Sequence, residues 1–402
     1  MRSRFLFALA LSSWTLSSAA LADVARAGPS GGPLQPWPTN GVNLSLFPSG
    51  LNRHDTAEVA SEINRQRVDQ ANSAGFRFIR LGIPFDAWTT KPDPTEQARV
   101  LKVVAATVHE AMADGLSLDV VPQPRGADLV CKHLDWDMYV NGLSSLLAQT
   151  QDSRSVAVEA MNEPPSCPGD NGPKSIWSDE QQAIYRIVRQ KLPHATFVVT
   201  GPKWGNVDGM ATFDPSPYQH DPYTLYAFHY YAPFLFTHQE TPWLRPDHAN
   251  QYVHDLEWPV TEKNRQAIEK QSLDALAADP NGTDAVRKAL LDLFSAYRTE
   301  GSPEYLAERF GSIANWVGQH QIPRGRILIG EYGVNRVHLK GKPGSPWQSA
   351  PVWLTAVRDQ AKQDGFISAV WDLDSGFGVI CGDQLGHGEL CPDYRSVYHP
   401  DN

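Results

Sequence analysis

The stretch Val156-Ala157-Val158-Glu159-Ala160-Met161-Asn162-Glu163-Pro164-Pro165 decides the fold. Its small and apolar residues read as a buried strand, of the kind a parallel sheet covered on both faces requires. Two prolines stop it at once, because proline has no N–H to give to a ladder. Glu163 is left at the C-terminal lip of that strand. Far downstream, Arg326-Ile327-Leu328-Ile329-Gly330-Glu331-Tyr332-Gly333 repeats the pattern, an apolar run that brings Glu331 to its end.

On either side of these two runs, strands and helices alternate. Strand-like segments fall at 41–47, 76–84, 117–122, 196–201, 225–231 and 366–371, which with the two glutamate strands makes eight. Helical patterns fall at 56–74, 95–114, 137–150, 178–191 and 348–364, with three more (262–278, 284–297, 303–320) between the sixth and seventh strands. Segment 202–224 carries no good helix. Eight buried strands with interleaved helices predict an α/β fold, a single (β/α)8 barrel over 41–402 with a helical insertion at about 232–301.

In a barrel, the C-terminal ends of strands four and seven lie on opposite sides of one mouth, so Glu163 and Glu331 would flank a bond placed across the top. Two carboxylates so arranged fit glycoside hydrolysis through an oxocarbenium-like transition state. A separation of roughly 5 Å permits direct attack with retention, and about 6.5–9.5 Å leaves room for water and inversion. The acid partner must stay protonated, and the charge of the other glutamate would raise its pKa. Around the pair, Asn162 would bond a sugar hydroxyl beside the reacting carbon, and Arg80, ending strand two, would keep Glu331 ionised. Tyr231 would donate to the same carboxylate, with His229 nearby on the same strand, and Trp371 offers a ring on which a pyranose stacks. Trp204, Trp88 and Trp136 are further candidate platforms, and Trp243 and Trp347 weaker ones, all weighed against simple packing.

These residues together resemble the family 5 glycoside hydrolases of clan A, which include cellulases, over 41–378. The resemblance implies that Asn162-Glu163-Pro164 supplies the acid/base and Glu331 the nucleophile. It also matches Arg80 to the strand-two arginine, His229-Tyr230-Tyr231 to the strand-six His-x-Tyr and Trp371 to the strand-eight tryptophan. It implies retention of configuration, no cofactor and no metal. One departure stands out: the family usually has histidine at the end of strand three, and here Val121-Pro122-Gln123-Pro124 puts Gln123 in its place. The expectation is a retaining β-glucanase of the endoglucanase type. A β-mannanase or an exopolysaccharide- or oligosaccharide-directed β-glycosidase is the nearest alternative, and a carbohydrate-binding barrel without turnover the alternative of another class.

The totals bound the rest. A chain of 402 residues buries a large core, and 41% hydrophobic with 20% charged residues is ordinary for a globular protein. A formal charge of −10 argues against a nucleic-acid partner and leaves a poly- or oligosaccharide as the expected one. Arg2 and Arg4 before the apolar run Phe5-Leu6-Phe7-Ala8-Leu9-Ala10-Leu11, followed by Ala20-Leu21-Ala22, read as a signal peptide over 1–22, with Ala25-Arg26-Ala27 as a second cleavage position. A Gly- and Pro-rich arm follows at 28–40. No later run is apolar enough to span a bilayer, so a soluble, exported, periplasmic or extracellular monomer is expected. Four cysteines allow three pairings, and Cys131–Cys167 with Cys381–Cys391 is favoured because each pair joins neighbouring loops of the proposed barrel. Asp372 and Asp374 resemble calcium ligands only faintly, since the rest of such a loop is missing.

Overall fold

The structure, a computed structural model, describes residues 36–47, 55–89, 92–124, 131, 134–167, 175–241, 249–336, 348–384 and 386–398. The expected signal peptide, most of the 28–40 arm, Trp243 and Trp347 lie outside the described residues.

Eight parallel strands close a barrel in sequence order: β1 (Asn40–Ser45), β2 (Phe78–Pro84), β3 (Ser117–Gln123), β4 (Val156–Glu159), β5 (Thr196–Thr200), β6 (Thr224–His229), β7 (Ile327–Tyr332) and β8 (Ile367–Val370). Pairing of Asn40 with Ser368 and Gly41 with Ala369 completes the ring. The surrounding helices are α1 (Ala57–Ser73), α2 (Pro94–Ala113), α3 (Trp136–Leu147), α4 (Ile176–Lys191), α5 (Val207–Ala211), α6 (Phe234–Thr237), α7 (Glu262–Ala278), α8 (Asp284–Glu300), α9 (Pro303–Gln319) and α10 (Ser349–Asp364). A hairpin of β9 (Ile380–Gln384) and β10 (His387–Leu390), then α11 (Pro392–Tyr398), finishes the chain. The short α5 occupies the segment whose sequence shows no helical pattern, and the hairpin was not expected.

Local chemistry starts the helices where it should. Thr56, Asp93, Asp135, Ser175, Asn206, Thr261, Thr283 and Ser302 each accept a backbone N–H from the first turn of the helix that follows. Gly365, with φ 72°, ends α10 in the left-handed conformation.

The barrel interior has two layers of opposite character. The lower is apolar: Trp37 meets Phe78 edge-on at 6.0 Å and clusters with Ala157, Val198, Ala227, Leu328 and Ala369. The upper is polar and just as buried, with Asn43, Arg80, Asp119, Glu159, Thr200, His229 and Glu331. Between β6 and β7, the long connection carries α6 to α9. Helix α9 packs against α5 and α10 as a barrel helix does, and α7 pairs with α8.

Candidate active site

The strand carrying the Asn-Glu-Pro sequence is shorter than its apolar run implies. Its ladder ends at Glu159, and Glu163 stands beyond it on a loop with φ 46°. A non-glycine residue in that region is strained, and such strain collects where a side chain must be aimed. Glu331 is aimed differently. Alternation from Leu328, which faces the interior, would turn Glu331 outward, but the register between β6 and β7 slips so that Phe228 pairs with Ile329 and His229 with Glu331. This bulge swings Glu331 into the mouth. Gly330 leaves the room required: a Cβ there would lie 3.0 Å from His229 Nε2.

One oxygen of Glu163, one of Glu331 and a ring nitrogen of His229 lie within 4.8 Å of one another. Arg80 Nη1 donates to Glu331 Oε1 at 2.6 Å, and Tyr231 Oη donates to Oε2 at 3.0 Å. His229 Nδ1 lies 2.9 Å from Glu163 Oε1 and 3.5 Å from Glu331 Oε2. Arg80 Nη2 also donates to Asn162 Oδ1 at 2.9 Å, so Asn162 is held by the same guanidinium.

These contacts separate the two carboxyls. Burial pushes Glu163 up, and the charge of Glu331 adds to that, outweighing His229 and Arg80. Burial acts on Glu331 in the same sense. There, however, the charges of His229 and Arg80, with hydrogen bonds from Arg80 and Tyr231, win and hold it below the ordinary carboxylate range. His229 is disfavoured as a cation by burial, yet Glu331 and Glu163 raise its pKa on balance. The cluster of two carboxylates and an imidazole has the atoms of a metal site. A guanidinium 2.6 Å from Glu331 and a phenol donor on its other oxygen already fill the place where a cation would gain most.

Beneath the pair lies a support that sequence reasoning missed. Arg80 Nε donates to Glu159 Oε2 at 3.0 Å and Nη1 to Asn43 Oδ1 at 2.9 Å, while Thr200 Oγ1 donates to Glu159 Oε1 at 2.9 Å. Asn43 in turn donates to Gly330 O at 2.8 Å, next to the bulge. Asp119 is 4.0 Å from Arg80, and burial followed by the charge of Glu159 drives its pKa well up. The available signal was Glu159 itself, a carboxylate in a wholly buried strand, which has to have a charged partner.

The cleft above the pair has a volume of about 1160 Å³ and includes Gln123, Trp204 and Trp371 in its lining. Trp204 is half exposed, and both it and Lys203 before it adopt left-handed backbone. Gln123 lies over Gly82, where a Cβ would meet its amide at 2.6 Å, and its Nε2 is buried with no hydrogen-bond partner among the described residues. Two candidate platforms are misplaced. Trp88 is buried, stacked on Phe85 at 4.8 Å and set against Gly142, because the turn after β2 folds it under α3. Trp136 opens α3 and lies edge-on to Tyr139 at 5.6 Å, and it does not line the cleft. Asp374 is taken up by the Arg67 fork at 2.6 and 2.7 Å, and Asp372, pushed up to about 7 by burial and the charge of Asp374, bonds Ser375. The disulfides Cys131–Cys167 and Cys381–Cys391 form as expected.

Known proteins resemble this chain in sequence and in fold. The chain is 22% identical over 372 residues to Endoglucanase 3 of Fibrobacter succinogenes, covering 87% of this chain and 51% of that protein, so it spans about half the relative's length. Solved structures share the fold. They include the cellulose synthase subunit Z of Clostridioides difficile (17% identity, 90% and 99% of the two chains, TM-score 0.61). Thermotoga maritima Cel5A with cellobiose (19%, 89% and 96%, TM-score 0.60) is another. A model of the cellulase family matches residues 40–376, and the chain belongs to that family, glycosyl hydrolase family 5.

Proposed function

We propose that this protein is an exported retaining β-glycosidase acting on a β-glucan as an endoglucanase. The observation that carries the reading is the approach of Glu163 and Glu331 within 4.8 Å, in surroundings that push their pKa values apart. Nearest oxygens this close suit direct attack, for which the carboxyl groups stand roughly 5 Å apart, rather than the wider gap of water-mediated inversion.

Glu331, ionised, attacks the anomeric carbon while Glu163 gives its proton to the departing glycosidic oxygen. The glycosyl ester so formed neutralises Glu331, and with its charge gone Glu163 is a stronger acid and stays ionised. Glu163 then takes a proton from water, whose oxygen attacks the same carbon and releases Glu331. Trp371 faces the sugar being transferred, and Asn162, fixed by Arg80, reaches the neighbouring hydroxyl. The disulfides favour an oxidising compartment, and among the described residues no helix is long and apolar enough to cross a membrane.

The family and the name of the Fibrobacter relative support a β-glucan backbone. Gln123 lines the cleft where the family usually has imidazole, which alters the contacts open to the sugar and makes a β-mannan the second backbone to test. Product analysis on β-1,3-, β-1,4- and β-1,6-glucans and on mannan separates these, and NMR of the first-formed anomer tests retention. Release of inverted product, or failure of a fluorosugar to label Glu331, would refute the mechanism; labelled Glu331 also excludes a carbohydrate-binding barrel without turnover.

A further inference from the structure

We infer that the turn Lys203-Trp204-Gly205 after β5 is a positioning element for Glu163, acting through backbone hydrogen bonds to the glutamate's loop and to His229. This rests on the hydrolase reading above and adds to it what fixes the proton donor in place.

The turn is left-handed throughout. Lys203, Trp204 and Gly205 follow one another with φ of 62°, 61° and 64°. Glycine enters this region freely, whereas in other residues the Cβ crowds the following carbonyl. Six non-glycine residues among those described have positive φ, and three of them, Glu163, Lys203 and Trp204, meet at this one place. Burial of their side chains does not compensate the last two, since Lys203 is exposed and Trp204 is 50% exposed. The strain has to be offset by the backbone's own contacts.

Those contacts reach both neighbouring loops of the site. The Trp204 N–H donates to the carbonyl of Pro164, the residue after Glu163, at 2.8 Å. Gly205 O accepts the His229 N–H at 2.7 Å, and Asn206 forms a β-bridge with the same histidine. The Asn206 N–H also donates to Lys203 O at 3.2 Å, which closes the turn on itself. A Cβ at Gly205 would lie 3.0 Å from Thr200 Cγ2, so the turn sits tightly on the end of β5. Consecutive residues thus hold the β4 loop with one bond and the end of β6 with the next. Those two segments carry Glu163 and His229, whose side chains meet at 2.9 Å. A proton donor must stand within hydrogen-bond reach of the departing oxygen, and a misplacement of about 1 Å is costly. A turn of fixed shape, bonded to the acid's loop and to its histidine, sets that placement.

The test compares two aryl glycosides of the disaccharide that product analysis identifies, such as phenyl and 2,4-dinitrophenyl β-cellobioside. Phenolate needs the acid's proton in order to leave, dinitrophenolate does not, and kcat/KM reports the step in which each leaves. Three variants of the whole chain are assayed, with thermal unfolding to confirm that each is folded. Lys203→Pro fixes φ near about −65° and forbids the turn. Lys203→Val strains it further through its branched side chain, and Lys203→Gly permits it without the amine. The ratio of kcat/KM for the phenyl over the dinitrophenyl glycoside should fall about tenfold or more in Lys203→Pro, and fall less far in Lys203→Val. Lys203→Gly should keep the ratio of the unsubstituted protein. If Lys203→Pro does not fold, Lys203→Val decides. An unchanged ratio in the folded variants, an equal fall on both glycosides, or a fall in Lys203→Gly as large as in the others overturns the positioning role. If the unsubstituted protein hydrolyses neither glycoside nor any glucan or mannan, the hydrolase reading itself fails, and the positioning role with it.

Discussion

Glu163 and Glu331 are the same side chain in two settings, and the difference between the settings is what the proposed roles of acid and nucleophile rest on. Glu163→Gln should lower kcat about 10²–10⁴-fold on substrates with poor leaving groups and less on activated ones, while the fold persists. Glu331→Gln should leave a folded protein with almost no turnover; near-native rates would remove it from the nucleophile's place. The pH profile follows from signs. The proposed mechanism needs Glu331 ionised and Glu163 protonated, so the acidic limb should lie below the ordinary carboxylate range and the alkaline limb above it. His229 lowers both groups, through its charge on Glu331 and its hydrogen bond to Glu163. Replacing it with Asn should therefore move both limbs of kcat/KM to higher pH. A shift in opposite directions would contradict the assignment.

At the scale of elements, β2, β4 and β7 are joined through one guanidinium. Arg80 is fully buried and holds Glu159 and Glu331 together. Arg80→Met leaves two buried carboxylates without their cation and should cost about 3–5 kcal/mol of stability, read by denaturant unfolding, besides abolishing turnover. How much of this was legible can be argued from the same strands. The eight runs, the strand-end glutamates and Arg80 carry clear signals, since buried parallel strands are continuous in apolar residues and end abruptly. The β6–β7 bulge has no signal, because a slip of register depends on the neighbouring strand. Period-two reading alone would have turned Glu331 to the wrong side. Trp88 and Trp136 failed for a related reason. Closeness in sequence to a strand end does not say whether a ring turns up into the mouth or back under a helix, and Phe85 and Tyr139 offered better aromatic contacts. Glu300, Tyr305 and Arg309 lie far along the chain from every motif and meet the cleft only because the long connection folds back.

Across the whole molecule, two short cross-links hold loops at the barrel's upper rim and tail. Cys381 and Cys391 are ten residues apart across the β9–β10 hairpin, and Cys131 and Cys167 close a loop of 36. Each should contribute about 2–4 kcal/mol, so reduction with a strong thiol should lower the Tm by several degrees. An unchanged melting curve after complete reduction would show the hairpin and the β3 and β4 loops to be independent of them. Trp37 supplies the last consequence. Its indole closes the lower end of the barrel like a stopper, seated on Phe78 and the small side chains around it. Cleavage after residue 22 or 27, the positions proposed from the sequence, would leave that stopper in place. A shortened form starting at residue 39 would instead open the lumen from below, and it should lose about as much stability as deletion of a buried tryptophan, about 3–5 kcal/mol. Tags and fusions at the amino end are therefore harmless only when Trp37 is kept.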